Sequence, residues 1–398
     1  MAYSSLLRRG RGFAGFSSYL ISGKWSRDCN WFCRRGMSTA ALMSPGKGNP
    51  SSSSCSSPWL MLQPAYEVGA VCTAATMTYK LYNLAENRVV TLWVPQIPGD
   101  LLSFRGSSGG GWLSLVQRET HDLLLYNPMS RRRIKLPPLY GPSVDLNRAP
   151  ILHKSFISCS PDTEKCVAVS LTYCGESMAV CCPLSSDNWK WFGTNSKDEY
   201  YLDCVYSTSK KTLFALTNTF QLEAWDLTTA ASPELIRIMG EFSNTLDHEE
   251  KMKKKKKELL QSRDDLSCWH EYHLVIAGED LLVVTQYIVE SIDSDGLYDP
   301  KDGDLKYVEG SCLGGWALFV GNYNHSVALR ARDFPELKPN SIYFTDALPD
   351  RCDSNQGNHD IGIFSYEDKT VSPCYYPCDP PNLKPMFPEP MWFFPTNF

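Results

Sequence analysis

The stretches of this 398-residue chain whose residue types could do chemistry are a triple glycine, a triple arginine, a close histidine pair, a cysteine pair, an acidic loop and a lysine run. Gly109, Gly110 and Gly111 could cradle a phosphate on backbone amides. No Lys-Ser or Lys-Thr follows and no helical pattern opens there, so they are expected to be a flexible strand connection. Arg131, Arg132 and Arg133 could grip a phosphate or an acidic partner, yet they sit in the turn after Asn127 and Pro128, where arginines are ordinarily solvated. His270 and His273, in HEYH, are one residue too close for the helical zinc-protease motif and lead into a strand pattern. Cys374 and Cys378 have no second pair to complete a zinc site. The loop from Ile292 to Gly303 lacks the oxygen spacing and closing Glu of a calcium loop. Lys253 to Lys257 are flanked by acids and lack the interleaved aromatics of a nucleic-acid surface. No catalytic, cofactor-binding or metal site, and no cofactor, follows from these residues.

The elements that would position any such group are short strands. Leu222 to Met239 reads as an apolar run ending in Trp225, the turn-former Asp226, a small-residue loop and a second apolar run. Tyr79 to Pro95, Leu123 to Pro138 and Ile361 to Pro377 repeat that plan. Their aromatics, Tyr82, Tyr126, Trp225 and Phe364, are separated by 44, 99 and 139 residues, near one, two and three multiples of about 45, the period of a four-stranded propeller blade. A lone four-stranded sheet cannot bury both faces, whereas blades stacked around an axis can. The fold expected is therefore all-β, a single propeller of six or seven four-stranded blades. Trp225, Tyr126, Phe364 and Trp316 are expected as blade-core aromatics, with Asn127 and Asp226 as turn formers.

Charge divides the chain. Residues 1–66 carry six Arg and two Lys against Asp28, so the remainder is acidic enough to bring the total to −5. An acidic body argues against nucleic acid as the main partner, because phosphate neutralisation needs clustered Lys and Arg. The 15 cysteines are odd in number and irregularly spaced, which reads as reduced thiols used as small core residues. No apolar run is long enough for a membrane span. Residues 1–43 are rich in Arg, Ser and Ala, the composition of a disordered organelle transit peptide. Residues 44–58 read as a Ser/Pro/Gly linker. Residues 59–398 form the globular part, with a Lys-rich insertion at about 247–265.

The motifs LGGWALFVGNYNHSVALRARDFPELKPNSIYFTD and DIGIFSYEDKTVSPCYYP, preceded in order by GWLSLVQ, LLLYNPMSRRRIKLPPL, YYLDCVY and LEAWDL, resemble the plant family known as domain of unknown function 295, with its KIB-type β-propeller. The resemblance spans roughly residues 65 to 398. Many members of that family begin with an F-box that docks on a ubiquitin-ligase adaptor. Here a transit-like segment stands in its place, which is similar to an organellar branch lacking the F-box. The resemblance implies a place in mitochondria, or alternatively chloroplasts, and the acidic rigid scaffold without a catalytic constellation points to a non-enzymatic, monomeric module that binds another protein there. Two other readings stand beside it: a substrate receptor of an SCF-type ligase, and a propeller enzyme whose acid and base converge at the central channel.

Overall fold

The computed structural model describes residues 12–20, 57–61, 78–93, 102–117, 122–139, 152–163, 165–172, 177–193, 199–229, 232–239, 254, 266–291, 313–321, 323–345, 361–374 and 390–395, the first of these by backbone alone. In chain order the strands are β1 (Gly12–Leu20), β2 (Trp59–Met61), β3 (Thr78–Asn83), β4 (Arg88–Trp93), β5 (Leu102–Ser108), β6 (Trp112–Gln117), β7 (Leu123–Asn127) and β8 (Arg132–Lys135). There follow β9 (Leu152–Ile157), β10 (Ala168–Thr172), β11 (Met178–Cys181), β12 (Lys190–Phe192), β13 (Tyr201–Ser207), β14 (Thr212–Thr217), β15 (Leu222–Asp226) and β16 (Glu234–Met239). The last are β17 (Leu266–Ala277), β18 (Asp280–Ser291), β19 (Trp316–Val320), β20 (Val327–Arg330), β21 (Ser341–Phe344), β22 (Gly362–Ser365), β23 (Thr370–Pro373) and β24 (Met391–Phe393).

Local chemistry explains why hairpins recur. Four of the turns hold four residues, begin after an Asn or Ser and end on a residue in the left-handed region: Asn83 to Asn87 (φ 50°), Asn127 to Arg131 (58°), Ser207 to Lys211 (52°) and Ser365 to Lys369 (59°). The first side chain of each accepts backbone N–H groups of the turn. Asn127 Oδ1, for example, accepts from Met129 and Ser130, both at 3.0 Å, and Asn83 Oδ1 accepts from Ala85 at 3.0 Å. Such a turn reverses the chain with the strands still in register.

The strands make six sheets. Strands β5–β8, β9–β12 and β13–β16 are three antiparallel four-stranded blades, and β24-β2-β3-β4 is a fourth. The fifth blade has the order β20-β19-β21-β22-β23, with β19 and β21 parallel. The sixth sheet is narrower, the long hairpin β17–β18 with β1 antiparallel along β18. Each of the six junctions between neighbouring sheets is filled by its own apolar cluster. Leu113 and Phe393 meet at one, Phe156 and Cys204 at another, and Phe319 and Trp392 at a third. The stacked sheets therefore close into a ring, so their inner faces leave no open end. Closure uses opposite ends of the globular part, with Trp59, Leu60 and Met61 paired to Phe393, Trp392 and Met391.

The all-β propeller of four-stranded blades is thus as expected, but the number differs. Among the described residues there are five full blades instead of six or seven, because β17 and β18, at 12 residues each, put their length into one broad hairpin. Gly12–Leu20, expected to be disordered, is a strand on β18. Tyr82, Tyr126, Trp225 and Phe364 are all buried. Trp316 is only partly so and borders its cluster instead of filling it.

The inner strands approach so closely that one position excludes any side chain. A Cβ on Gly106, at the β-bulge of β5, would lie 1.7 Å from the Ser155 carbonyl oxygen of β9. Gly106→Ala must push two blades apart, and a loss of about 1–3 kcal/mol is expected from overpacking. Urea unfolding should show a lower midpoint at unchanged slope. A wild-type midpoint would mean the strands part freely.

Candidate functional site

The residues singled out by type are mostly consumed by the fold. Gly110 and Gly111 (both φ 75°) make the β5–β6 turn, where the Gly111 N–H donates to the Phe394 carbonyl at 2.7 Å and Asn127 Nδ2 donates to the Gly110 carbonyl at 2.7 Å. The Gly111 amide thus ties the C-terminal segment to the blade, and the Gly110 carbonyl ties the turn to Asn127. Arg131 supplies the left-handed turn position. Arg132 grips Asp162 through Nη1, at 2.6 and 2.7 Å from its two oxygens, and holds that carboxyl below its usual range. Arg133 is exposed on β8. Asp226 accepts from the Thr228 N–H at 2.7 Å, a turn former as expected. Cys374 is buried, and burial pushes its thiol up to about 12. Cys378, the loop 292–303, the His270 side chain and the lysine run apart from exposed Lys254 lie outside the described residues.

The structure's own candidate is a polar cluster where the innermost strands meet. Lys154 on β9 donates to Asp203 Oδ1 on β13, with side chains 2% and 5% exposed. The other oxygen, Asp203 Oδ2, accepts the Leu274 N–H of β17 at 2.7 Å. Lys154 Nζ also reaches the Asn324 carbonyl at 3.4 Å. Asn324 in turn clasps β24, donating from Nδ2 to the Trp392 carbonyl at 2.9 Å and accepting the Trp392 N–H at 3.2 Å. Ser107 of β5 bridges to the Asn324 backbone. One ion pair and one asparagine thus link all six sheets. A buried charge pair is tolerated only when further hydrogen bonds complete it, and here they come from the sixth sheet through Leu274 and from the fifth blade through Asn324.

Three imidazoles surround the pair. His273 on β17 contacts Gln286 Oε1 through Nε2 at 3.3 Å, and His325 accepts the Tyr206 N–H on its Nε2 at 3.2 Å while packing on Phe156. His153 adjoins Lys154 on β9. Burial first, and the Lys154 charge as well, push His153 and His273 down to about 4 and His325 to about 3, so all three are neutral near pH 7. Glu271, two residues before His273, is pushed up to about 8 by burial and then by the Asp203 charge. Among the described residues no three His, Cys, Asp or Glu converge as a metal-ligand set.

Of this cluster only His273 stands out in the sequence, where its spacing from His270 speaks against a metal site. Lys154 and Asp203 carried a weak signal: LHKSFI and YLDCVYS each place one charge inside an apolar strand, where burial demands an opposite charge. Nothing in the sequence pairs one with the other across 49 residues.

A closed ring of radially stacked sheets, joined by its terminal strands and held at the axis by polar contacts, defines a β-propeller. The chain belongs to the KIB1-4 beta-propeller family, whose model matches residues 81–365, well over half of the chain. No curated protein matches it. Among solved structures, the chain is similar to one described as a complex of KlAtg21 with the coiled-coil of AgAtg16, at 8% identity over 60% of this chain and 77% of that one, with a TM-score of 0.31. A second is a structural genomics protein of unknown function from Bacteroides thetaiotaomicron VPI-5482, at 11% identity over 43% of this chain and 46% of that one, with a TM-score of 0.23.

Proposed function

We propose that the chain is a non-enzymatic propeller that binds another protein through strand addition at β16, acting as a monomer inside mitochondria or, alternatively, chloroplasts. The observation that carries this reading is β16 itself. It is the outermost strand of its blade, and Leu235, Ile236 and Ile238 are 43%, 59% and 50% exposed. The register slips by one residue at Ile236, which pairs with no residue of β15. Leu235, opposite Trp225, and Ile238, opposite Glu223, therefore share one face of the edge and make it apolar, while Arg237 lies on the other face. Edge strands are ordinarily blunted by charge, proline or cover, and an apolar one suits an added strand, with backbone bonds giving affinity and side chains specificity. The axial ion pair supports the non-enzymatic part, since both Asp203 oxygens are engaged inside the ring and the ammonium is enclosed. The basic composition of residues 1–43 supports import, and with it the organellar, F-box-free place in the family.

The test places a photo-crosslinking residue at Ile236 of the full chain in organelles and identifies what it captures by mass. A single protein captured in wild type, and lost when Leu235 and Ile238 are both replaced by Lys in a variant of unchanged thermal stability, is the expected result. Capture indifferent to those lysines would remove β16 from the function. The N-terminal mass of the organelle form, expected to begin between about residues 36 and 51 by the composition of processing regions and so to have lost β1 from the edge of β18, tests import separately. A full-length cytosolic protein would return the ligase-receptor reading.

A further inference from the structure

We propose that the cavity beside Trp316 is an oxyanion site, built for the dianion of a phosphate monoester. The cavity, of about 320 Å³, is lined by Gly314, Gly315, Arg330, Ala331, Arg332 and Pro339, large enough for a phosphorylated side chain or a small phosphate ester.

Its arginine is held in advance. The Arg330 guanidinium lies 3.8 Å above the Trp316 ring centroid and donates from Nη1 to the Gly314 carbonyl at 3.2 Å. The β17–β18 turn packs closely on the indole and borders the guanidinium, for a Cβ on Gly278 would sit 3.2 Å from Trp316 Cζ2 and 4.0 Å from Arg330 Nη2. The indole is fixed, so the guanidinium stacked on it has little freedom to lose when an anion arrives. Among the described residues no carboxylate lies within ion-pair distance of Arg330. A planar fork stripped of a counter-ion and oriented by a ring and a carbonyl matches two oxygens of one phosphate.

The floor is kept open by backbone conformation. Gly314 and Gly315 have φ of 64° and 77°, and a Cβ on Gly315 would meet nothing within 4 Å, so any side chain there would project into empty space. Asn340 fixes this turn by accepting the Leu313 N–H at 3.0 Å and the Gly315 N–H at 2.8 Å on one oxygen. Arg332 lines the same cavity. Its neighbour Asp333 lies 3.7 Å away with both side chains largely exposed, a contact too loose and wet to neutralise it. Two arginines lining one opening favour a doubly charged anion over a carboxylate.

The site lies apart from β16 and from the axis, so its failure would leave the protein-binding reading untouched. Calorimetric titration of the full chain with inorganic phosphate, with a phosphoserine peptide and with acetate, at constant ionic strength, tests it. Saturable binding of phosphate or the peptide is expected, weakened at least about tenfold in Arg330→Gln and not restored in Arg330→Lys, because an ammonium offers no bidentate fork. Arg332→Gln should weaken it less, and serves as the reading if Arg330→Gln fails to fold. A peptide that binds more tightly than inorganic phosphate assigns the group to a phosphorylated side chain, and equal affinities assign it to a free phosphate. No saturable binding, equal binding to the Gln variants, or acetate preferred over phosphate overturns the proposal.

Discussion

Replacing Asp203 with Leu is expected to destabilise the protein by about 3–5 kcal/mol, the cost of leaving one member of a buried ion pair without its partner. Lys154 is 2% exposed, and without Asp203 its ammonium keeps only the Asn324 carbonyl at 3.4 Å. The Leu274 N–H loses its acceptor in the same step, which adds an unsatisfied buried donor on a third strand. Lys154→Met should cost a similar amount from the other side. The double variant Lys154→Met/Asp203→Leu should cost clearly less than the sum, since no unpaired charge remains and apolar replacements of similar volume are often well tolerated. Urea unfolding of the four proteins measures the coupling. Additive losses would mean that the two groups act independently and that the axis is held by packing alone. If the pair were catalytic, the double variant would regain stability and leave some turnover abolished; if it is structural, strand addition at β16 returns with the stability.

Much of this architecture is legible in the sequence because it is local. The turn after Asn127 and the aromatic at Tyr126 are specified by neighbours within a few residues, and both recur at the propeller period. The blade count is not local. It depends on whether β17 and β18 stop after three to seven residues, as most strands here do, or run to 12, and runs such as HEYHLVIA and LLVVTQYIV are compatible with either outcome. The same limit applies to the axis. Lys154, Asp203, Leu274, Asn324 and Trp392 meet because ring closure superimposes the inner strands of different blades, and no spacing rule joins them before the ring exists. Trp316 illustrates the converse error: an aromatic in a strand pattern suggests a core residue, yet its face is taken by Arg330, which lines the cavity. Residue type announced the arginines at 131–133, while the geometry of interest belongs to Arg330 and Arg332, which stand out only when the two glycines and the indole beside them are seen together.

Stability is expected to pass through a maximum near pH 6.5, falling steeply on the acid side and gently on the alkaline side. His153 and His273 are pushed down to about 4 and His325 to about 3, chiefly by burial. Unfolding returns each to about 6.5, so from there down to about pH 4 the unfolded chain takes up protons that the native ring refuses, and stability is lost as pH falls. Glu271 works the other way. Its native pKa of about 8, raised by burial and by Asp203, lies above its unfolded value. The native state therefore holds the proton more tightly, and that contribution, complete below the unfolded pKa, is lost as pH rises towards about 8. Three imidazoles outweigh one carboxyl below pH 6.5; above it the carboxyl acts alone. Geometry gives the acid limb a second cause: His325 accepts the Tyr206 N–H on Nε2, and a protonated ring has no lone pair left to do so. Denaturant unfolding from pH 4 to 9 should therefore give an asymmetric profile. Glu271→Gln should flatten its alkaline side alone, and His325→Phe should make the acid side shallower. An acid limb unchanged by His325→Phe, or an alkaline limb surviving Glu271→Gln, would show that other groups govern the titration of the axis.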